Sequence, residues 1–315
     1  MLFGFRELQG VKDRYDVLIV GGGPAALGAA VYARRAGLDV LIVEKTLEGG
    51  QLNLTTYIDN YLGFSSIEGS ELARRMKEHA ESLGTEFLNA LVQKIIVAEK
   101  IHAIVLDDGR TIEARVLMLA TGTEPKRLNV PGESQLVGKG VSYCATCDGY
   151  FFRDKDVVVV GGGDTAMNDA IYLSKIARTV FVIHRRNKLR AVKILQDRAF
   201  SRENIKFLFD TVVERFVGEK RLEKLVVRNL QTNQVNELTV DGAFIAIGST
   251  PNSGLVRGLV ELDESGYIIT NEWMETNVPR LYAIGDVRKK NVRQIITAVA
   301  DGAIAAIHAA ENYFD

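Results

Sequence analysis

The chain contains an internal repeat that limits its fold more than any other feature. Residues 17–45 (VLIVGGGPAALGAAVYARRAGLDVLIVEK) align without a gap on residues 157–185 (VVVVGGGDTAMNDAIYLSKIARTVFVIHR). Each copy predicts a buried, β-branched strand, a glycine-rich turn, a helix of about 12 residues and a second buried strand. Strands that are buried on both faces and joined by a helix are typical of doubly wound α/β domains. The sequence therefore predicts two Rossmann-like domains of one kind.

Each copy places a glycine triplet between its first strand and its helix. In the first turn Gly21 makes the tight reversal, and Gly23 lets the backbone approach a pyrophosphate, which then lies on the N–H groups at the start of the helix. Gly161 and Gly163 occupy the same places in the second copy. One glycine-rich turn alone is weak evidence, but both turns here have the required strand before them and helix after them. We therefore expect each domain to bind a dinucleotide.

The two copies differ at the end of the second strand. Glu44 closes the first copy, where a carboxylate accepts hydrogen bonds from ribose hydroxyls and repels a 2′-phosphate. His184 closes the second copy and is followed by Arg185, Arg186 and Arg190, whose guanidinium groups match phosphate oxygens. The second domain should therefore prefer NADP to NAD, with NADH use still open. The alternative, a solvated basic surface segment, is disfavoured because the run ends a buried strand.

Composition and charge exclude several classes of protein. With 315 residues the chain is long enough for about two domains. A net charge of −1 excludes nucleic-acid binding by bulk electrostatics. Charged residues interrupt every apolar run before about 18 residues, and no secretory signal pattern is present, so we expect a cytoplasmic protein without a membrane-spanning segment.

The two cysteines of the chain, Cys144 and Cys147, lie in one four-residue run. At this spacing they are one turn apart and can cycle between dithiol and disulfide with little backbone movement. A zinc site normally needs four ligands, and no second cysteine pair exists. A structural disulfide closing so short a loop would stabilise little, and the polar neighbours Thr146 and Asp148 disfavour two inert buried thiols. The spacing therefore favours redox chemistry.

The buried run LYAIGD near the end of the chain predicts a strand that completes the first domain, so that the second domain is inserted into the first. The expected domains are 1–125 with 251–315, and 126–250 with the cysteine pair. We also expect a linker at 129–132 and a poorly constrained arm over residues 1–14.

Four groups of motifs give the chain a family resemblance. They are GGGPAALGAA with GGQL, CATCDG, GGGDTA with HRRNKLRA, and TNVPRLYAIGDV with RQIITAVADGAIAA. Together they resemble the low-molecular-weight thioredoxin reductases, a family of flavoprotein disulfide reductases, over essentially the whole length. The resemblance implies FAD in the first domain, NADPH in the second, a homodimer, and thioredoxin or a thioredoxin-like protein as substrate. A glutaredoxin-like or peroxide-reducing partner, and a non-catalytic flavin redox sensor, are the alternatives.

The resemblance also assigns site residues. The expected FAD contacts are Gly21, Gly23, Pro24, Ala25, Glu44, Lys45, Gly50, Gln51, Leu52, Asn60, Thr121, Gly122, Asp286, Arg293, Gln294 and Ile295. The expected NADPH contacts are Gly161, Gly163, Asp164, Thr165, His184, Arg185, Arg186, Arg190 and Ile247. Cys147 would receive electrons from the flavin, and Cys144 would attack the disulfide of the partner. Asp148 would exchange protons with the thiols, provided that burial raises its pKa.

The sequence departs from the family pattern at a few positions. Asn168 and Asp169 stand where two glutamates are common, Asn187 replaces a frequent aspartate, and Arg280 replaces a frequent glycine.

Overall fold

The computed structural model describes residues 11–46, 48–54 and 57–314, without the side chain of Leu54. The chain forms two compact units. Unit 1 comprises the described residues of 1–56, 61–124 and 250–315, and unit 2 comprises 57–60 and 125–249. Most of unit 2 therefore lies between two parts of unit 1 along the chain.

The helices and strands are numbered in chain order, and the longest connection between them, residues 252–280, joins β18 to β19. The helices are α1 (Pro24–Arg35), α2 (Gly69–Ser82), α3 (Glu133–Leu136), α4 (Ala145–Asp148), α5 (Asp164–Leu173), α6 (Lys193–Phe200) and α7 (Ile295–Tyr313). The strands are β1 (Arg14–Val20), β2 (Val40–Glu44), β3 (Tyr57–Ile58), β4 (Ile67–Glu68), β5 (Glu86–Asn89), β6 (Val92–Ile96), β7 (His102–Leu106), β8 (Thr111–Leu119), β9 (Thr123–Pro125), β10 (Val141–Ser142), β11 (Asp156–Val160), β12 (Thr179–Ile183), β13 (Ile205–Leu208), β14 (Thr211–Val217), β15 (Lys224–Asn229), β16 (Val235–Thr239), β17 (Gly242–Ile245), β18 (Ser249–Pro251) and β19 (Leu281–Ala283).

Unit 1 is built on a sheet with the strand order β5-β2-β1-β8-β7-β6. The strands β5, β2, β1 and β8 run parallel, while β6 and β7 continue the sheet in the antiparallel sense. β19 pairs in parallel with the last residues of β8, so the end of the chain completes this sheet as predicted. Helices α1 and α7 pack closely. A Cβ atom added at Gly302 of α7 would lie only 2.2 Å from the Ala25 carbonyl oxygen of α1, so glycine is needed at this contact.

Unit 2 repeats the same arrangement on a smaller scale. Its parallel sheet has the order β10-β17-β11-β12-β13, so that β13, β12 and β11 correspond to β5, β2 and β1 of unit 1. Val157 and Val159 of β11 are buried in one hydrophobic cluster and Val158 and Val160 in another, so both faces of the strand are covered, which explains the continuous apolar run in the sequence. After β13 the chain forms a three-stranded antiparallel sheet, β14-β15-β16, at the place in the chain order where β6, β7 and the start of β8 form an antiparallel extension in unit 1; in unit 2 this sheet is separate from the parallel one. The prediction of two Rossmann-like domains, one inserted into the other, is confirmed.

The chain passes between the units at 124–125 and at 249–250, inside β9 and β18, which pair with each other. The linker predicted at 129–132 is wrong, because this segment packs within unit 2. The Pro131 carbonyl accepts a hydrogen bond from the Phe216 N–H at 2.9 Å. Gly132 adopts φ +85°, and a Cβ there would lie 2.1 Å from the Phe216 oxygen. Glycine is therefore needed at this position for a close approach rather than for flexibility.

The predicted N-terminal arm extends too far. Residues 1–10 lie outside the described residues, but Arg14 already begins β1, and the Lys12 ammonium lies 2.8 Å from the Asp39 carboxylate.

Arg280, directly before β19, adopts φ +66°, a conformation that favours glycine. Its guanidinium stacks over the Tyr313 ring at 4.2 Å, a cation–π contact that offsets part of the backbone strain. Among the helices of the described residues, none has the length and apolar character needed to cross a membrane.

Candidate active site

The glycine turn of unit 1 forms a cradle at the start of α1. Gly21 adopts φ +103°, and a Cβ there would collide with the Ala120 carbonyl oxygen at 2.4 Å. Gly23 precedes the helix and has open space where a side chain would begin, while Pro24 is the first helical residue and Ala25 is buried. The helix thus presents backbone N–H groups next to free space, which suits a pyrophosphate.

Glu44 lies at the end of β2 beside this cradle. Its Oε2 accepts the Gly22 N–H at 2.7 Å, and its Oε1 accepts the Thr46 N–H at 3.0 Å. Each carboxylate oxygen has further lone pairs, so the side chain can still accept from ribose hydroxyls. Lys45 is exposed beside it.

Two further segments of unit 1 supply the other predicted FAD contacts. Gly50 adopts φ +54° with its Cβ position 3.5 Å from Gly23, Gln51 donates to the Thr123 carbonyl at 2.6 Å, and Leu52 is buried. At the end of β8, the Thr121 hydroxyl donates to the Asn252 carbonyl at 2.7 Å, and Gly122 follows with φ +64°. The glycine-rich segment after β2 thus lies against the phosphate cradle.

Asp286 follows β19, and its Oδ1 is buried without a hydrogen-bond partner among the described residues. Burial raises the pKa of Asp286, and the charges of Lys290 and Arg293 lower it. Arg293 also donates to the Asp286 carbonyl at 3.4 Å. Gln294 caps α7, and Ile295 is its first residue.

The residues of unit 1 fit FAD. The cradle around Gly23 can take the pyrophosphate, Glu44 can take the ribose, and Asp286 offers a buried acceptor that lacks a donor. An orphaned acceptor of this kind is costly in a folded protein unless a ligand hydroxyl reaches it.

The glycine turn of unit 2 is built in the same way. A Cβ on Gly161 would lie 2.3 Å from the Ala246 carbonyl oxygen, and Gly163 precedes α5 with open space beside it. Asp164 accepts the Val192 N–H at 2.8 Å, which ties the segment before α6 to the start of α5, and Thr165 is exposed. Ile247 is half-buried two residues after β17.

His184 is buried and packs on the glycine turn, because a Cβ on Gly162 would lie 2.3 Å from its Nδ1. Burial lowers the pKa of His184, the Lys188 carbonyl raises it, and the neighbouring arginines lower it further. The Gly162 carbonyl accepts the N–H groups of Arg190 at 2.6 Å and of Ala191 at 3.1 Å. His184 therefore fills the space below the turn, while the chain after it returns to the same glycine.

Three arginines follow the second strand of this βαβ unit. Arg185, Arg186 and Arg190 are exposed, and none of them forms an ion pair with a described residue. The positive charges of all three lower the pKa of His184, which packs on the glycine turn. Three uncompensated cations beside a dinucleotide cradle suit an additional phosphate.

Cys144 and Cys147 form a disulfide at the start of α4, with their Cα atoms 5.3 Å apart. The Ser142 hydroxyl accepts the Cys144 N–H at 3.0 Å, and the Thr146 hydroxyl lies 3.5 Å from the Cys144 Sγ. Both sulfur atoms therefore belong to a single helical turn with hydroxyl groups around it.

Asp148 ends α4 directly after Cys147. Burial raises the pKa of Asp148, the Ser142 hydroxyl bond lowers it, and the negative charge of Asp59 raises it. A carboxyl group that holds its proton more tightly than usual, one residue from a disulfide, is suited to donate that proton to a leaving thiolate.

Asn60 lies with unit 2 rather than with the other predicted FAD contacts. Its amide donates to the Thr146 carbonyl of α4 at 3.4 Å. Its contact with FAD stays a prediction.

The sequence analysis missed the buried carboxylate of Glu133 and noted Asp169 only as a departure from the family pattern. Glu133 is 1% exposed and accepts the N–H groups of Leu128 at 3.0 Å and Asn129 at 2.7 Å, and the Tyr143 hydroxyl at 2.9 Å. Burial raises the pKa of Asp169 on α5 to about 7. The burial of Glu133 could not be predicted from the sequence, because its partner Tyr143 is ten residues away along the chain.

Comparisons with known proteins agree with this geometry. The family model described as pyridine nucleotide-disulphide oxidoreductase matches residues 15–302. A thioredoxin reductase of Peptoclostridium litorale is 43% identical over 97% of this chain and 98% of its own length. The thioredoxin reductase of Bacillus subtilis is 44% identical over 93% of this chain and 92% of its own length. The crystal structure of thioredoxin reductase from Streptococcus pyogenes has a TM-score of 0.92 and 45% identity, covering 96% of this chain and 98% of that one.

Two Rossmann-like units with a Cys-x-x-Cys disulfide in the inserted one define a class, the nucleotide-dependent disulfide oxidoreductases. The chain belongs to the pyridine nucleotide-disulphide oxidoreductase family and, within it, to the thioredoxin reductases.

Proposed function

We propose that this protein is an NADPH-dependent thioredoxin reductase that uses FAD and the Cys144–Cys147 disulfide. One observation carries the proposal: a disulfide in a single helical turn lies beside Asp148, whose pKa is raised, in a unit that also contains a dinucleotide cradle. The names of the relatives, at more than 40% identity over nearly the full length, support thioredoxin as the substrate.

The cofactor assignments follow the two cradles. Gly21, Gly23 and Glu44 would hold the FAD diphosphate and ribose, and Asp286 would accept a hydroxyl of the same cofactor. When bound, FAD supplies a group that accepts a hydride and passes two electrons to a disulfide. This chain would provide the surface that binds the cofactor and, in Asp286, the buried hydrogen-bond acceptor.

The pyridine nucleotide would bind at the start of α5. Gly161 and Gly163 would admit its diphosphate, and Arg185, Arg186 and Arg190 would bind a 2′-phosphate. A carboxylate such as Glu44 would repel that phosphate, whereas His184, its counterpart in the repeat, does not. NADPH is therefore proposed as the electron donor over NADH.

The disulfide chemistry uses both cysteines and Asp148. Two electrons and two protons convert the Cys144–Cys147 disulfide into two thiols, with Asp148 delivering a proton to the leaving sulfur. Cys144 then loses its proton, and its thiolate attacks one sulfur of the partner disulfide, while the other partner sulfur leaves as a thiolate and takes up a proton. Cys147 loses its proton in turn, and its thiolate attacks the Cys144 sulfur of this mixed disulfide, which restores the original bond; the second partner sulfur leaves as a thiolate and takes up a proton, so that the partner is released as a dithiol.

Mixing purified protein with FAD, thioredoxin and NADPH and following the NADPH absorbance tests the proposal. We expect many turnovers per chain, with NADPH used far better than NADH. A glutaredoxin-like protein and a peroxide-reducing protein at the same concentration distinguish the alternative partners. No NADPH consumption with thioredoxin would overturn the proposal, and turnover of one equivalent only would favour a redox sensor. Homodimer formation and cytoplasmic location stay predictions.

A further inference from the structure

Helix α7 contains one carboxylate that is buried on an otherwise apolar stretch. Asp301 is 5% exposed and lies in the run ITAVADGAIAAI. Its Oδ2 accepts the Gly285 N–H at 3.0 Å and the Lys290 ammonium at 2.7 Å, and its Oδ1 lies 3.3 Å from the Arg288 guanidinium. A single side chain thus gathers a backbone amide and two cations from the segment that follows β19.

The two cations are themselves held in place. The Lys290 side chain is 9% exposed and also donates to the Thr297 carbonyl on α7 at 3.2 Å. The Arg288 Nε donates to the Thr270 hydroxyl at 2.9 Å. Because each partner of Asp301 has a second contact, this carboxylate fixes the path of the chain from Gly285 to Lys290.

Asp286, whose buried Oδ1 has no hydrogen-bond partner in the part of the chain that the structure describes, lies on this path directly after Gly285. The bond between the Gly285 N–H and Asp301 therefore holds the backbone directly before Asp286. Lys290, Arg293 and Asp301 also lie close enough to act electrostatically on Asp286. The buried and half-buried groups Asp286, Arg288, Lys290, Arg293 and Asp301 carry a formal net of one positive charge at the positive end of α7.

We propose that Asp301, paired with Lys290, is a positioning residue of the flavin site, which fixes the turn at Asp286 and sets the local charge. The inference rests on the proposed function, because that proposal assigns FAD to this segment. It goes beyond it by naming a residue that would act through Gly285 and Lys290 rather than by contact with the cofactor.

The charge arithmetic gives opposite effects for the two partners. D301N keeps the shape of the side chain but gives the segment a second net positive charge, whereas K290M leaves it neutral. A reduced flavin that has lost its N1 proton carries an additional negative charge, so a more positive site stabilises it. We therefore expect the flavin midpoint potential to rise in D301N, to fall in K290M, and to return close to wild type in K290M/D301N.

FAD dissociation from the purified holoenzyme gives a second measurement. Loss of a charge-assisted bond to Gly285 should raise the FAD Kd of D301N by about tenfold. The matched control is E311Q, because Glu311 is an exposed acid on the same helix. This variant should leave both the Kd and the potential unchanged.

The outcomes separate the inference from the proposed function. A wild-type protein that binds no FAD would overturn both. A wild-type protein that binds FAD while D301N and K290M keep its potential, or shift it in the same direction, would overturn the inference alone. If D301N does not fold, the fall in potential of K290M decides the question, since a purely structural pair would not move it.

Discussion

Replacing Arg186 by alanine should weaken NADPH binding while leaving NADH binding almost unchanged. Arg186 is exposed and forms no ion pair with a described residue, so its guanidinium is available to a phosphate. A hydrogen bond to a charged group contributes about 1.5–3 kcal/mol, and solvent exposure places this one at about 1.5–2 kcal/mol. At about 1.4 kcal/mol per factor of ten, the KM for NADPH should rise about 10- to 30-fold.

Steady-state kinetics with thioredoxin at saturation measure this effect, with NADPH and NADH as alternative donors. R202A is the matched control, because Arg202 is an exposed arginine of unit 2 that also forms no ion pair with a described residue. It should change neither KM. The difference between NADPH and NADH should also shrink as salt is added, because exposed charges are screened. Equal losses with both donors in R186A would refute the assignment of the 2′-phosphate.

Three further substitutions test other groups. Burial raises the pKa of Asp169 to about 7, so the folded state holds a proton that the unfolded state releases, and stability should fall as pH rises from about 4 to about 7. D169N should therefore exceed wild type by about 1–3 kcal/mol at pH ~8 and match it near pH ~4, and parallel stability profiles by chemical denaturation would contradict this. E133A should lower the unfolding free energy by about 2–4 kcal/mol, because it removes a buried carboxylate that accepts three hydrogen bonds, and Y143F by only about 1 kcal/mol; equal losses would contradict the contacts. D148N should slow reduction of the disulfide by about 10²-fold or more while the reduction of bound FAD by NADPH keeps its rate, and stopped-flow measurements of both half-reactions would expose an equal slowing instead.

The architecture was predictable because the repeated segments contain the apolar strands and the glycine turns that define a Rossmann-like domain. The final four residues of β1 and of β11, 17–20 and 157–160, are all buried and apolar, and Gly21 and Gly161 follow them directly. The sheet β14-β15-β16 lies outside the aligned residues 17–45 and 157–185, so the comparison of these two segments could not reveal it. The glycine signal was also misinterpreted at Gly132, where the residue serves a close backbone contact that depends on β14.

The site residues were predicted from the glycine turns, the cysteine spacing and the family motifs, all of which are local in sequence, whereas the missed residues depend on tertiary contacts. The bond between Glu44 and Gly22, and the packing of His184 on Gly162, follow from strand and turn neighbours in one βαβ unit. Asp301 is different, because its role depends on the fold of a segment that returns to α7. Its only sequence signal is a charge in a run of alanine and isoleucine.

The central claim is that the Cys144–Cys147 disulfide receives electrons from NADPH through the bound flavin. The chain has two cysteines and both are in this disulfide, so thiol counting reports on it directly. Holoenzyme should be incubated with NADPH without oxygen, quenched in denaturant with an alkylating reagent and weighed by mass spectrometry. The account predicts that NADPH adds two alkyl groups per chain and that none are added without it. A chain that stays unmodified while its flavin is reduced would contradict the account.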